Sequence, residues 1–378
     1  MPIYELDPRD RRWRTFVESH EDSSIYHTPE WLEALRRTYH YEPTVFTTNA
    51  AHEPLTNGIV FCRIQSYLTG SRLVSLPFSD HCELLATTGS ELATLLPGLQ
   101  KRIMGRLRHV EIRPRLTELE EGLQFWPHKQ HYFHVLDLTP TIEELYSKLH
   151  YNGVRRKIRR ADRERVELEQ GQSESILMEF YQLLLLTRRR HRIPPQPLSW
   201  FRNLIECLGP NVTIHVARFE NRPIACVFTM RHKTTVIYKY GCSDERFHRF
   251  GAMPRLLWQV IEQAKAEHMQ AFDLGRSDFH NEGLVRFKDH LGARKTILKY
   301  WRSLPTPPDP SRVRRLPSEL ARNCLQCLPD SLFRLVGQVF YRHLGSITIL
   351  LLQLWTWNDA TISDCLNIAA DALDWAVG

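Results

Sequence analysis

A chain of 378 residues, 42% apolar and 25% charged, has the composition of a folded globular protein and the length of about two domains. Intrinsic disorder, collagen-like repeats and coiled coil are excluded for most of it. Its 50 Lys and Arg against 43 Asp and Glu leave a formal charge of +7, whose meaning depends on where the cations cluster.

Taken in chain order, the apolar spacing predicts a helix at 30–39, strands at 44–48, 58–64 and 73–76, a helix at 90–106 and a strand at 109–113. A short apolar run at 133–138 closes this portion. Thr141 and Glu144 then have the spacing of a capping box and open a helix striped by Ile142, Leu145 and Leu149. Helices follow at 175–191, stopped by Pro194-Pro195, and at 199–208, stopped by Gly209. Strands at 212–219, 224–231 and 235–240 read as a meander. A helix at 254–267, a strand at 271–274, a helix at 283–290 and a strand at 296–301 complete the run.

The two portions resemble each other. VFTTNAAHEPLTNGIVFCRI (45–64) reads like VARFENRPIACVFTMR (216–231), a hairpin whose second strand carries Cys and Phe. Each is followed by a long helix and a strand, HVEIRP (109–114) in one and QAFDLG (270–275) in the other. The shared order of elements predicts a duplicated α/β (α+β) unit, divided as 1–138 and 139–303.

Beyond Trp301 the composition changes. SLPTPPDPSR (303–312) holds four prolines and reads as an extended linker, with two mostly helical segments after it, 316–344 and 347–377. The apolar stretch ITILLLQLWTW (347–357) is broken by Thr348, Gln353 and Thr356 and is short of the ~20 residues of a spanning helix. Packing onto the domains is the simpler reading of this tail, and shallow contact with the inner membrane the sharper one. The first residues, MPIYELDPRDRRW, lack the apolar core of a signal peptide, and eight cysteines lie mostly inside apolar runs, as reduced thiols do. A cytoplasmic location is the expectation. Cys324 and Cys327 form a lone pair, two ligands short of a zinc site, and no metal is expected.

The stretch FDLGRSDFHNEGLVRFKDHLGA (272–293) resembles the late motif of FemABX-type proteins, a "fDfG" strand end followed by a "rFKkgFG" helix. HTPEW (27–31), LPFSDHCELL (76–85), LYSKLHYNGVRRKIRRA (145–161) and IYKYGCSDERF (237–247) resemble further segments of that family, in the right order. The resemblance covers 1–303. It implies tandem domains of the acetyltransferase-like (GNAT) fold with mixed, largely antiparallel sheets, followed here by a helical tail. It also implies transfer of an acyl or aminoacyl group to an amine, with aminoacyl-tRNA or acyl-CoA as donor substrate and no tightly bound cofactor. The best-known members act on a peptidoglycan precursor. Many Gram-negative relatives accompany exopolysaccharide and protein-sorting loci, and the Pro-rich tail looks closer to those, which makes a glycan or lipid-linked precursor the implied acceptor.

Carried over by resemblance, Lys288 is the candidate catalytic residue and Phe287 its neighbour in the site. An ammonium beside a tetrahedral oxyanion is typically worth ~3–4 kcal/mol. Asp80, Tyr238 and Tyr240 fall where relatives bind the precursor. On a regular strand, Tyr238 and Tyr240 point to one face, with Lys239 on the other. Two basic clusters suit a phosphate-bearing partner, tRNA or coenzyme A. One runs through 154–166 on a single helix and includes Arg156 and Arg160. The other ends the 175–191 helix with Arg188, Arg189 and Arg190 and has no acid beside it in sequence. In acyl-CoA enzymes of this fold a Gln/Arg-x-x-Gly-x-Gly/Ala turn holds the pyrophosphate. Here HRFGAM (248–253) keeps Gly251 but places Met253 at the last small position, which speaks against acyl-CoA. From another class, a non-catalytic holder of an anionic glycan or RNA accounts for the same cations.

Overall fold

A computed structural model describes residues 2–65, 71–103, 107, 109–119, 125–303 and 328–344. The first half runs β1 (Tyr4–Leu6), α1 (Arg11–Ser19), α2 (Pro29–Tyr39), β2 (Glu42–Thr47), β3 (Asn57–Ile64), β4 (Arg72–Val74), β5 (Leu85–Ala86), α3 (Gly89–Ile103) and β6 (Val110–Ile112). The long β7 (Phe125–Asp137) leads to α4 (Ile142–Lys148), α5 (Arg156–Arg163), β8 (Glu167–Gly171), α6 (Glu174–Arg190) and α7 (Leu198–Leu208). Then come β9 (Val212–Phe219), β10 (Arg222–His232), β11 (Thr235–Ser243), α8 (Ala252–Ala266), β12 (Ala271–Ser277), α9 (Glu282–His290), β13 (Arg294–Ser303) and α10 (Asp330–Leu344).

Local chemistry sets these elements. Thr141 and Glu144 close the capping box of α4 through 3.2 and 2.8 Å bonds to each other's backbone N–H. Thr28 caps α2 ahead of Pro29 at its first position. Helix α1, which the sequence reading leaves unassigned, is capped by Asp10 and buries Trp13, Phe16 and Val17 on one stripe. The basic run at 154–166 is not one helix: a π-turn over Tyr151–Arg155 feeds α5, which ends at Arg163, and Arg165 is left-handed.

The duplication is visible in strand pairing. β2, β3 and β4 are antiparallel neighbours and β4 pairs in parallel with β6 across the α3 crossover. β9, β10 and β11 repeat this, with β11 parallel to β12 across α8. The halves join in a mixed 13-stranded sheet, ordered β1-β2-β3-β4-β6-β13-β7-β12-β11-β10-β9-β8, with β5 off this path. β7 follows β6 in sequence yet pairs with β12, while β13 follows β12 yet pairs with β6. The two long strands also pair with each other. Residues 125–131, FWPHKQH, lack apolar alternation, so only the end of β7 is legible without its partners.

One core cluster spans both halves, with Trp31 of α2 edge-on to Trp200 of α7 at 5.2 Å. Helix α10 packs into this core through Phe333 and Tyr341, whose hydroxyl donates to Pro194 O at 2.9 Å. The linker, the Cys324–Cys327 pair and the 347–357 stretch lie outside the described residues. Among those described, no helix is long and apolar enough to cross a membrane. A Cβ at Gly337 would collide with the Pro195 carbonyl, a backbone contact that cannot yield. Gly337→Val is therefore expected to undock α10 and cost about 1–3 kcal/mol. Hydrogen exchange at 330–344 checks it: unchanged protection would show that this contact does not seat the helix.

Candidate active site

The parallel ladder of β11 and β12 runs only from Thr235↔Ala271 to Ile237↔Asp273, and beyond it the strands part. Asp80, from the segment after β4 of the other half, stands in this gap. Its Oδ2 lies 2.7 Å from where a Cβ on Gly275 would be, and Gly275 has φ +71°. Glycine is required here twice over, for space and for backbone conformation. Asp273 accepts the Gly275 N–H at 2.7 Å and faces His81 Nε2 at 3.3 Å. On the other side Arg276 Nε lies 3.5 Å from Asp80 Oδ1, and Tyr300 on β13 donates to the Asp80 carbonyl. The segment itself is held by Arg113, which donates to Leu76 O and Ser79 O at 2.9 and 3.1 Å.

A cavity of about 170 Å³ opens beside Asp80, walled by Arg276, Lys239, Tyr240, Arg188 and Gln196. A larger one of about 440 Å³ near His40, Arg63 and His343 lies across the Tyr39 and Tyr41 rings from Phe78 and holds none of these groups. Lys239 reaches the smaller cavity because β11 is bulged. Pairing steps from Phe228↔Tyr240 to Thr229↔Tyr238, so Lys239 is an extra residue and the alternation of faces breaks. The expectation that Tyr238 and Tyr240 share a face is thereby corrected. Tyr240 packs with Phe228 and accepts from Trp200 Nε1 at 2.9 Å, whereas Tyr238 packs against the core on the α8 side. Lys239 donates to Phe78 O and sits over the Tyr26 and Trp31 rings at 5.0 and 5.5 Å.

Lys288 is buried, 3% exposed, on α9. Its ammonium donates to Gly275 O and Arg276 O at 3.0 and 2.9 Å, behind the turn that receives Asp80 and outside the cavity wall. Burial pushes its pKa down to about 8, against the pull of Asp80 and Asp273. Burial also lowers Lys239, with Asp80 opposing. Asp80 goes the other way: burial would raise its pKa, but Lys239, Arg276 and Lys288 hold it below the ordinary carboxylate range. It is a carboxylate at neutral pH, with Arg276 and Lys288 charged beside it.

The other sequence candidates are scattered. Phe287 is partly buried against the core of the second half. Arg188 lines the cavity and donates to Gln196 Oε1 at 3.1 Å. Arg190 lies outside, 3.9 Å from Glu245, and Arg189 is paired with Asp330 of α10. The acids that the second basic cluster lacks in sequence thus come from elsewhere in the fold. Arg156 is exposed beside Asn152, and Arg160 is 3.6 Å from Glu164, both on α5 and neither lining the cavity. α5 abuts the start of α8: Gly251 caps α8 at φ +75°, and the Lys157 carbonyl covers the face where a Cβ would stand. Sequence reasoning missed Lys239, Arg276, Arg113 and Gln196. A signal for two of them existed, since Glu111-Ile112-Arg113 and Asp273-Leu274-Gly275-Arg276 follow the parallel strand in each repeat.

A family model described as an acetyltransferase (GNAT) domain matches residues 148–289, the part that carries α5 through Lys288. No curated protein matches the sequence. Among solved structures, FemX is similar at TM-score 0.63 and 13% identity, over 80% of this chain and 97% of that one. The C-terminal domain of a putative lysylphosphatidylglycerol synthetase from Agrobacterium fabrum is similar at TM-score 0.54 and 13% identity, over 78% and 91%. A tandem GNAT protein from the clavulanic acid biosynthesis pathway is similar at TM-score 0.52 and 10% identity, over 81% and 99%. With an acetyltransferase-domain match in its second half and a repeat of the same strand pairing in its first, the chain has the tandem GNAT-type fold seen in these solved structures.

Proposed function

We propose that this acyltransferase-fold protein moves an acyl or aminoacyl group to an amine on a cell-envelope or exopolysaccharide precursor, at the Asp80 cavity. The observation that carries the reading is an ionised carboxylate held among cations in a small gap where two parallel strands part. In that reaction the amine nitrogen attacks the carbonyl carbon of an ester or thioester. The C–O or C–S bond then breaks, and the leaving oxygen or sulfur takes the proton that the amine gives up. Asp80 is too acidic to serve as the base and instead accepts a hydrogen bond that orients the amine. An ammonium has three protons, and two of those on Lys288 are spent on carbonyls. Lying behind the Gly275 turn, the ammonium acts on the cavity by clamping that turn and by its field at the developing oxyanion, not by contact.

Of the two donors, aminoacyl-tRNA is favoured over acyl-CoA. The Lys157 carbonyl covers the Gly251 turn that would seat a pyrophosphate, and Met253 stands at its last small position and packs into the core, while α5 presents Arg156, Arg159 and Arg163 outward to a larger polyanion. The lysylphosphatidylglycerol synthetase likeness makes a lipid-linked acceptor reasonable, with the protein working from the cytoplasmic side of the inner membrane. Against this, a non-catalytic holder of an anionic glycan or RNA is favoured by one observation, the structural use of Lys288 as a clamp on two carbonyls.

Lys288→Ala is expected to lower kcat by about 10²–10³ with little change in fold or KM. Lys288→Arg should rescue poorly, because a guanidinium does not fit a buried ammonium's place. Release of free tRNA or coenzyme A from donor panels measures it: a rate within threefold of wild type would remove the catalytic role of Lys288, and no release by the wild type would favour the non-catalytic reading. The charge on Lys288 is complete well below pH 8 and is lost as pH rises through about 8. Its contribution to the rate should fall across that window, and the Ala variant should lack this alkaline limb.

Gly275→Ala tests the gap itself. A Cβ at φ +71° against Asp80 should destabilise the protein by about 1–3 kcal/mol. Part should be recovered when Asp80→Ala is combined with it. A double-mutant cycle by thermal denaturation reads the coupling, and simple additivity would mean that the carboxylate does not press on this turn.

A further inference from the structure

Arg276 is not free to choose its place in the cavity wall. Its Nη1 donates to His131 Nε2 at 3.1 Å and to the Tyr300 hydroxyl at 3.2 Å, while its Nε faces Asp80. His131, on β7, is 4% exposed, and its Nδ1 lies 2.7 Å from Asp278 Oδ1. Its ring is edge-on to Tyr300 at 5.0 Å. A guanidinium can only donate, so Nε2 must accept and the ring proton must sit on Nδ1, directed at Asp278. The four groups come from β7, β13 and the end of β12, and allow one tautomer and one charge state of the imidazole.

We propose that His131 and Asp278 are positioning residues, which hold a neutral imidazole as the acceptor that fixes Arg276 against Asp80 and release that guanidinium when His131 takes up a proton. A doubly protonated ring would direct an N–H and a positive charge at another N–H and another positive charge. The groups facing the ring are Asp278 and Arg276 from the end of β12, Tyr300 from β13 and Lys129 from its own strand. Burial lowers the His131 pKa, the Asp278 hydrogen bond opposes that, and Arg276 and Lys129 lower it further. Release therefore belongs below pH 6.5. Its effect on turnover rests on the cavity being the transfer site, whereas the hydrogen-bonded device does not.

The test uses the isotope-labelled full chain in solution. Histidine side-chain nitrogen spectra should show His131 as the Nδ1–H tautomer at pH 7.5. The Arg276 Nε–H resonance, assigned by its loss in Arg276→Lys, should be sharp there and disappear as His131 titrates. His131→Phe should abolish it at every pH. His131→Gln keeps an acceptor that does not titrate and should retain the resonance into the acid range. Asp278→Asn removes the charge that favours the imidazolium and should move its loss to lower pH. An Nε2–H tautomer in the wild type, or an Arg276 resonance indifferent to His131→Gln and Asp278→Asn, would overturn the proposal. These spectra need no substrate, so they stand apart from the transferase reading. With a turnover assay in hand, kcat/KM should fall at least tenfold in His131→Phe and return to within threefold in His131→Gln, which should also lose the wild-type acid limb. An acid limb unchanged in the Gln variant would sink the link to turnover, and ordered Arg276 without any turnover would sink the transferase reading alone.

Discussion

The carboxylate of Asp80 stands where β11 and β12 part, and much of the second half is arranged around keeping it charged. Removing a lone carboxylate from water costs several kcal/mol, more than a domain of this size can carry without compensation. Three cations supply it, and each imposes its own condition on the fold. Lys239 reaches the gap only because β11 is bulged. Lys288 acts from behind the gap because α9 folds back onto the Gly275 turn. Arg276 stands there because β7 and β13 bring His131 and Tyr300 to it. Asp273 and Asp278 stand beside the same cations, so Asp80 is held within a network of opposite charges rather than by a single partner.

That arrangement depends on neither half being complete alone. The segment carrying Asp80 belongs to the first unit and the gap to the second. The strands at the seam are exchanged as well, β7 into the neighbourhood of β12 and β13 onto β6. A seam of two long antiparallel strands fixes the register between units through backbone hydrogen bonds, and a slip of one residue would turn His131 and Tyr300 to the wrong face. The shared core beneath α2, α6 and α7 then removes the freedom of hinge motion that two loosely linked domains would have. A cavity whose walls come from both units needs this rigidity to hold Arg276 and Asp80 at 3.5 Å.

How much of this was legible in the chain follows from what each feature depends on. The repeat was legible, because hairpin, helix and strand recur with the same local signals and each unit folds by nearest-neighbour pairing. Asp80 and Lys288 could be found through family resemblance, since their motifs are contiguous in sequence. Lys239 could not. A bulge is a property of the pair of strands, and alternation read along β11 alone puts this residue on the opposite face. The partners of the second charge cluster were hidden for a similar reason. Arg189 and Arg190 have no acid within their own helix, but Asp330 and Glu245 reach them from distant positions. Arg276 and Arg113 sat in plain view at the end of an acidic strand, and only comparing the two repeats would have singled them out.

The repeats differ in how each treats the gap where its parallel strands part. In the first, β4 and β6 stay paired to Val74↔Glu111, and Arg113 then turns back to Glu111 at 2.7 Å and to the Leu76 and Ser79 carbonyls. Burial opposes ionisation of Glu111, but Arg113 and Arg302 hold its pKa well below the usual range, so this gap is filled by a satisfied ion pair. In the second, the residue corresponding to Glu111 is Asp273, which is spent on the Gly275 N–H and on His81. The following arginine, Arg276, is left to face a carboxylate brought from outside. One unit thus uses its acid and arginine to close the opening and, in doing so, fixes the segment that carries Asp80. The other leaves the opening unfilled and receives that segment. The site follows from this division of labour between two copies of one structural unit, and the first copy is needed to build the second copy's cavity.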